Sequence, residues 1–448
     1  MASIVTDNLK KTLAKLLFND ISSNENNNYF IGIGKADAWP DNDNPVDPSR
    51  TLFDERIMRA NLQSVKLIEA SSMVAERYNW SSGTTYSAWR DNQIGLPATT
   101  FYVMTEDQEV YVCLQQGRNA LGQAVPSTVK PSFQDAGVQS FKAFSTSDGY
   151  VWKFLYQVSV ADANNFLSAN FIPIKYINDD SDNLNAFELQ QLKVQKSAIN
   201  GQIIGIRITN AGAGYTSTPT ITIKGNGTGA EATATVSGGS IVKIEMNNES
   251  AAMGSGYDAA SIEISGTGGA KAEAIIGPVY GIGNDPMDDL KATSLMMTIK
   301  PDGTENDTFV VENEFRQIGL FRDMLISDSS GFITSATSKA LKYFTLDSSS
   351  GTFTDDALVR GQTSQAAAFI DDVDGTDIYF HQNEITGFAA FIDGEEIRES
   401  SGEGKGSIAS INKSETNAFS GDLLYIENRA RVLRDVAQQE DIKIVIKV

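Results

Sequence analysis

Apolar positions change period several times along this chain, and each change predicts an element. Leu9, Leu13, Leu16 and Leu17 fall at i, i+4, i+7 and i+8, one face of a helix over residues 6–21, with Thr6 or Asp7 as its N-cap. That face predicts a helix that packs on the body or docks a partner. The short run Tyr29–Ile33 predicts a strand leading into an Asn-, Asp- and Pro-rich loop through residue 50. A second helix is expected over 54–77. Residues 99–114 predict two strands about a turn at Glu106–Gln108, and residues 150–160 a strand introduced by Asp148-Gly149. The strict alternation of residues 442–448 (IKIVIKV) predicts a terminal strand.

Residues 201–283 differ in kind. They hold 17 of the 37 glycines and carry an imperfect repeat. Gly212-Ala-Gly214-Tyr215 is echoed by Gly254-Ser-Gly256-Tyr257. Each is followed by an alternating run, Thr220–Ile223 or Ser261–Ile264, and then by a small-residue stretch. Two such copies predict a duplicated β unit, with glycines in the turns and β-branched residues in the strands.

Residues 355–412 predict a further β module, with a hairpin turning at Asp374-Gly375. Between 355 and 399 it holds 11 acidic residues against Arg360 and Arg398. The expected class is therefore mainly β and multidomain: a β-sandwich-like body with N-terminal helices and inserted small all-β domains. The body takes residues 1–200, 284–354 and 413–448. The insertions take residues 201–283 and 355–412.

The net charge of −21 repels phosphate backbones and anionic lipid, so neither nucleic acid nor membrane is an expected partner. No run reaches the roughly 18 apolar residues of a membrane span, and Lys10, Lys11 and Lys15 break the start of the chain too often for a signal peptide. Cys113 and His381 are the only residues of their types. A disulfide within the chain and a paired-His metal site are excluded, and no cofactor or metal is expected.

Candidate chemistry is sparse. Gly225-Asn-Gly227-Thr-Gly229 has the look of a phosphate loop but lacks the fingerprint spacing and a following helix, and reads as a turn. Asp371-Asp372-Val373-Asp374-Gly375-Thr376-Asp377 suggests a calcium loop, yet Ile370 would fall at its first ligand position. It reads as a hairpin turn. His381 is expected to be hydrogen-bonded and half-buried or at the surface, and Cys113 a buried, inert thiol. Trp39, Trp80, Trp89 and Trp152 suit core packing more than a sugar site. None of these patterns argues for an enzyme.

Four stretches carry a resemblance. They are Tyr29-Phe-Ile-Gly-Ile-Gly-Lys-Ala-Asp-Ala-Trp39-Pro40, Asp148-Gly-Tyr-Val-Trp152-Lys-Phe-Leu-Tyr-Gln-Val, Phe315-Arg-Gln-Ile318, and the C-terminal Ser420-Gly-Asp-Leu-Leu-Tyr-Ile-Glu-Asn-Arg429 with Gln439-Glu-Asp-Ile-Lys-Ile-Val-Ile. In these the chain resembles the baseplate wedge protein encoded by gene 8 of T-even-type contractile-tailed phages. The blocks 201–283 and 355–412 have no counterpart there and look like modules of related marine phages. The resemblance implies a structural homodimer in the virion tail baseplate, assembled in the bacterial host cytoplasm. It also implies contacts with other baseplate wedge subunits, a part in triggering sheath contraction, and no catalytic residues.

Arg429, Arg431 and Arg434 form a basic island in an acidic chain, and arginine is favoured at interfaces. The segment bearing Tyr425, Glu427, Asn428 and these arginines is therefore the expected subunit interface, with pairing inside the chain as the competing expectation. A glycan-binding tail fibre or adhesin is the alternative function.

Overall fold

The computed structural model describes residues 4–22, 28–93, 99–133, 141–178, 183–246, 252–301, 308–309, 314–434 and 440–448. It is mostly β, as expected, with several antiparallel sheets and one closed six-stranded barrel. The chain forms two compact units. One comprises residues 1–16, 72–296 and 445–448, and the other residues 17–71 and 297–444.

The second unit is organised on a five-stranded antiparallel sheet. Its order is Thr337–Lys339, Leu62–Leu67, Tyr29–Gly34, Glu314–Arg322 and Asp422–Leu433. The middle strand, Tyr29–Gly34, is buried at every position. Gly32 pairs with Gly319 there, and a Cβ on either would come within 2.7 Å of the Phe321 ring. The two glycines thus make the room that Phe321 fills. Phe30, Met58, Leu62, Val65 and Met324 close the core around it.

The first helix, α1 (Asp7–Ser22), forms where expected, with Thr6 accepting from the Leu9 N–H. The helix expected over 54–77 does not. Instead α2 (Leu52–Ala60) stops at Asn61, whose backbone and side-chain N–H groups both return to the Ile57 carbonyl. Strands Leu62–Leu67 and Ala70–Glu76 follow. Sheet pairing claims these residues, which outweighs their helical spacing. From α2, buried Arg59 donates to the carbonyls of Ala418, Ser420 and Gly421, fixing the turn that enters strand Asp422–Leu433.

The barrel closes through strands Lys342–Ser350, Asp377–His381, Ala367–Asp374, Leu358–Gly361, Glu396–Glu399 and Lys405–Asn412. It begins at Lys342, ahead of the boundary read at 355. Phe344 stacks on Phe380 at 4.0 Å inside it, walled by Val359, Ile370, Ile397 and Ile408. The expected hairpin turns at Gly375, whose φ of +60° suits the first central position of a II′ turn.

In the first unit, strands Tyr102–Met104, Glu109–Gln115, Val151–Gln157 and Phe144–Ser145 form a sheet over Tyr86, Cys113, Tyr150 and Trp152. The glycine-rich block is a strand-exchanged duplication. Strand Ile203–Asn210 pairs with Lys271–Ile276, and Ala232–Ser237 pairs with Ser240–Met246. Strand Ile221–Gly225 pairs with Ala260–Ile264, so that Ile221 faces Ile264 and Ile223 faces Ile262. Exchanging the two repeats maps this set of pairs onto itself. The tyrosines of the repeat motifs match too. A Cβ on Gly268 would stand 2.3 Å from the Tyr215 ring, and one on Gly227 2.5 Å from the Tyr257 ring. Neither repeat closes its own sheets, so each contributes half of the other's core.

Candidate functional site

The second unit carries a concave, largely apolar groove with a cavity volume of about 720 Å³, within the range of ligand sites. Trp39 comes from the loop after strand Tyr29–Gly34, Phe53 and Ile57 from α2, Ile385 and Phe388 from the loop after strand Asp377–His381, and Phe419 from the turn that Arg59 holds. Phe53, Ile385, Phe388 and Phe419 are each more than half exposed. Such large apolar side chains gathered around one concavity mark an interaction site.

Local backbone shape sets the floor of this groove. A Cβ on Gly34 would meet the Asn61 carbonyl at 2.4 Å, so the chain passes close to Asn61 there. Lys35 then adopts a left-handed φ of +67° and donates its N–H to the same carbonyl at 3.0 Å. Its ammonium pairs with Asp37 at 2.8 Å and lies 4.4 Å from the centre of the Trp39 ring.

A buried polar chain connects this floor to the barrel. His381 Nδ1 stands 2.7 Å from Asp371 Oδ2, and Gln63 donates to Asp371 Oδ1 at 3.3 Å. The Asn383 amide nitrogen lies 3.4 Å from His381 Nε2, 3.3 Å from Asn61 Oδ1 and 3.4 Å from Asp37 Oδ1. Its orientation is fixed, because Asn383 Oδ1 accepts from the N–H groups of Ile385 and Thr386. The two amide hydrogens are shared among Asn61 Oδ1, Asp37 Oδ1 and the His381 ring, and His381 Nδ1 donates to the Asp371 carboxylate. Burial pulls the His381 pKa down, but the Asp371 charge and hydrogen bond more than offset it, and the net shift is upward. Asn383 thereby anchors the loop that presents Ile385 and Phe388.

The residues singled out in the sequence end in different places. His381 is hydrogen-bonded as expected but buried, deeper than the half-buried or surface position read from the sequence. Cys113 is buried, and burial pushes its thiol pKa up. The four tryptophans do not converge. Trp152 and Trp89 are buried, Trp80 packs beside Tyr86, and Trp39 lines the groove. The glycine-rich 225–229 stretch joins strand Ile221–Gly225 to strand Thr228–Ala230 through a bend at Asn226–Gly227, where Asn226 accepts from the Asp258 N–H.

Tyr425, Glu427, Asn428, Arg429 and Arg431 lie on strand Asp422–Leu433, last in its sheet. The arginines have carboxylates within the chain: Arg429 near Glu427 at 3.9 Å, Arg431 on Glu314 at 3.0 Å, and Arg434 on Glu440 at 3.2 Å. Tyr425 donates to Glu427, and Asn428 donates to the Val46 carbonyl. Arg434 is a correction to the expected interface. It is 2% exposed and packs over the Phe309 ring, so it is structural.

Sequence reasoning missed Asn61, Asn383 and Arg56, polar residues without a motif. The one available signal was Asn383 ahead of Thr386-Gly387, a side-chain-capped turn pattern. A second buried charged set was also missed. Lys153 donates to the Ile282 carbonyl at 2.6 Å, and Asp289 accepts from the Gly283 N–H at 2.8 Å. Burial lowers the Lys153 pKa and raises that of Asp289.

No protein-family model matches this chain, and no curated protein matches it.

Proposed function

We propose that this chain is a structural subunit of the tail baseplate wedge of a contractile-tailed phage, a homodimer that links other wedge subunits and passes on the rearrangement that triggers sheath contraction. One observation carries the reading. Three of the stretches that resemble the gene 8 wedge proteins, far apart in sequence, are neighbouring strands of one sheet: Tyr29–Gly34, Glu314–Arg322 and Asp422–Leu433. A shared scaffold requires such stretches to meet in one core, and chance likeness does not. The glycine-rich block and the barrel are then modules added to that scaffold. The role is assembly, with no reaction to catalyse.

The test is the solution mass of the purified chain by light scattering, alone and mixed with the other tail proteins of its phage. The expected result is a dimer of twice 48.4 kDa that enters a larger defined complex. A trimer would favour the adhesin reading. A chain that joins no tail complex would overturn the wedge role.

A further inference from the structure

Every residue that lines the groove belongs to the second unit. The walls are apolar and open. Phe53, Ile385, Phe388 and Phe419 are 55%, 71%, 63% and 62% exposed, and they come from α2, the loop after strand Asp377–His381 and the turn before strand Asp422–Leu433. The floor is polar but already satisfied. Lys35 pairs with Asp37 at 2.8 Å, and their side chains are only 10% and 8% exposed. The Asn383 amide is shared with Asn61 and Asp37, and the Asn61 amide donates to the Ile57 carbonyl. Two charges are left over. Arg56 on α2 and Glu384 on the loop after strand Asp377–His381 are exposed at the groove, and among the described residues neither is in an ion pair.

We propose that this groove binds a short peptide segment of a partner protein, one with large apolar side chains between an acidic and a basic residue. Three observations favour this occupant. The first is the wall itself, since apolar side chains converging on one concavity receive the anchor residues of a peptide. The second is charge complementarity. The acidic residue of the segment meets Arg56 and the basic residue meets Glu384, which fixes the direction in which the segment lies. The third is preorganisation. Arg59 holds the carbonyls of Ala418, Ser420 and Gly421 beside Phe419, and Asn383 holds the N–H groups of Ile385 and Thr386, so the walls stand ready before anything binds. A saccharide fits less well. Its hydroxyls need free donors and acceptors, which the floor spends on itself. Trp39, the natural platform for a sugar ring, carries the Lys35 ammonium 4.4 Å from its centre and gives its N–H to the Arg429 carbonyl.

This inference goes beyond the proposed function and does not depend on it. The experiment uses the full chain and three pools of labelled peptides, acetylated and amidated, read by fluorescence anisotropy. Each pool has apolar residues between two end positions: Asp first and Lys last, Lys first and Asp last, or Gln at both ends. One charged order is expected to bind about 10-fold or more tighter than the other two pools. Phe388→Ala/Phe419→Ala should weaken that binding by about 10-fold or more. Both positions are exposed, so circular dichroism and melting temperature are expected to match the unaltered chain. Arg56→Glu/Glu384→Arg should invert the preferred order, a result that a merely sticky surface would not give. Equal binding of all three pools, or no binding at about 1 mM chain, would overturn the proposal. Two further outcomes would also overturn it. Binding on a saccharide array that Phe388→Ala/Phe419→Ala abolishes would assign the groove to a glycan. Conversion of a dimer to a monomer by the same variant in sedimentation equilibrium would assign it to a second copy. The wedge role is decided separately, by entry of the unaltered chain into a tail complex.

Discussion

Asp371 reaches His381 because a β-bulge turns it there. Ile370 pairs with Phe380 and Asp372 with Tyr379, so Asp371 is the extra residue between them. Ile370 and Val373 pack into the barrel core, while Asp371 and Asp372 both turn outward. Asp371 meets His381 Nδ1 at 2.7 Å. Asp372 meets Lys339 at 3.2 Å, and that ammonium lies 3.4 Å from the centre of the Tyr379 ring. Bulges re-aim side chains in this way.

The pair makes stability depend on pH. The His381 pKa is raised in the folded chain, so its contribution is complete below its ordinary value of about 6.5. That contribution is lost as pH rises through the folded value. The melting temperature is therefore expected to fall from mildly acidic to alkaline conditions, and Asp371→Asn should flatten this slope. Asp371→Ala leaves a buried partner unmatched and should cost about 3 kcal/mol or more by urea unfolding. An unchanged pH slope in Asp371→Asn would overturn the assignment.

The duplicated block predicts matched responses. Gly212 and Gly254 have φ values of +64° and +68°. A Cβ would stand 2.5 Å from the Gly268 carbonyl at the first and 2.6 Å from the Thr228 carbonyl at the second. Alanine at either position is expected to cost on the order of 1–3 kcal/mol, and the two costs should be similar. Urea midpoints measure both. A neutral result at one position alone would break the equivalence of the repeats.

Among the C-terminal arginines, burial sorts the outcomes. Arg434→Ala leaves Glu440, 11% exposed at its side chain, without its cation, and should cost about 3 kcal/mol or more. Arg429 and Arg431 are themselves 40% and 51% exposed, and Glu314 keeps Arg316 when Arg431 is removed, so alanine at either position should cost no more than about 1 kcal/mol. Thermal melts of the three variants separate these outcomes. Equal losses at all three would show that burial does not set the scale.

Cys113 is expected to resist a thiol reagent in the native chain and to react fully in guanidinium. It is completely buried, and burial disfavours its thiolate. Rapid native labelling would mean that the sheet carrying it opens easily.

Several elements were legible in the sequence because local chemistry settles them. Helix α1 follows from its leucine spacing, the hairpin at Gly375 from its turn residues, and the terminal strand Ile442–Lys447 from strict alternation. The run after Ala60 was not legible as strand. Its helical spacing fits a window of residues, but the pairing of Leu62–Leu67 with Tyr29–Gly34 is a long-range interaction. The groove was illegible for the same reason. Trp39, Phe53, Phe388 and Phe419 share no motif and meet only once the sheet, α2 and the barrel loop are in place.

By itself the sequence determined the class of the protein: mainly β, strongly acidic, internally duplicated over 201–283, with one cysteine and one histidine. Periodicity, turn chemistry and net charge are properties of short windows or of simple sums, so they can be read without a fold. The tertiary structure decided which faces are covered. It turned the leucines of α1 outward, closed the barrel from Lys342, exchanged strands between the repeats and buried Arg434 and His381. Burial depends on partners hundreds of residues away, and no local pattern specifies them.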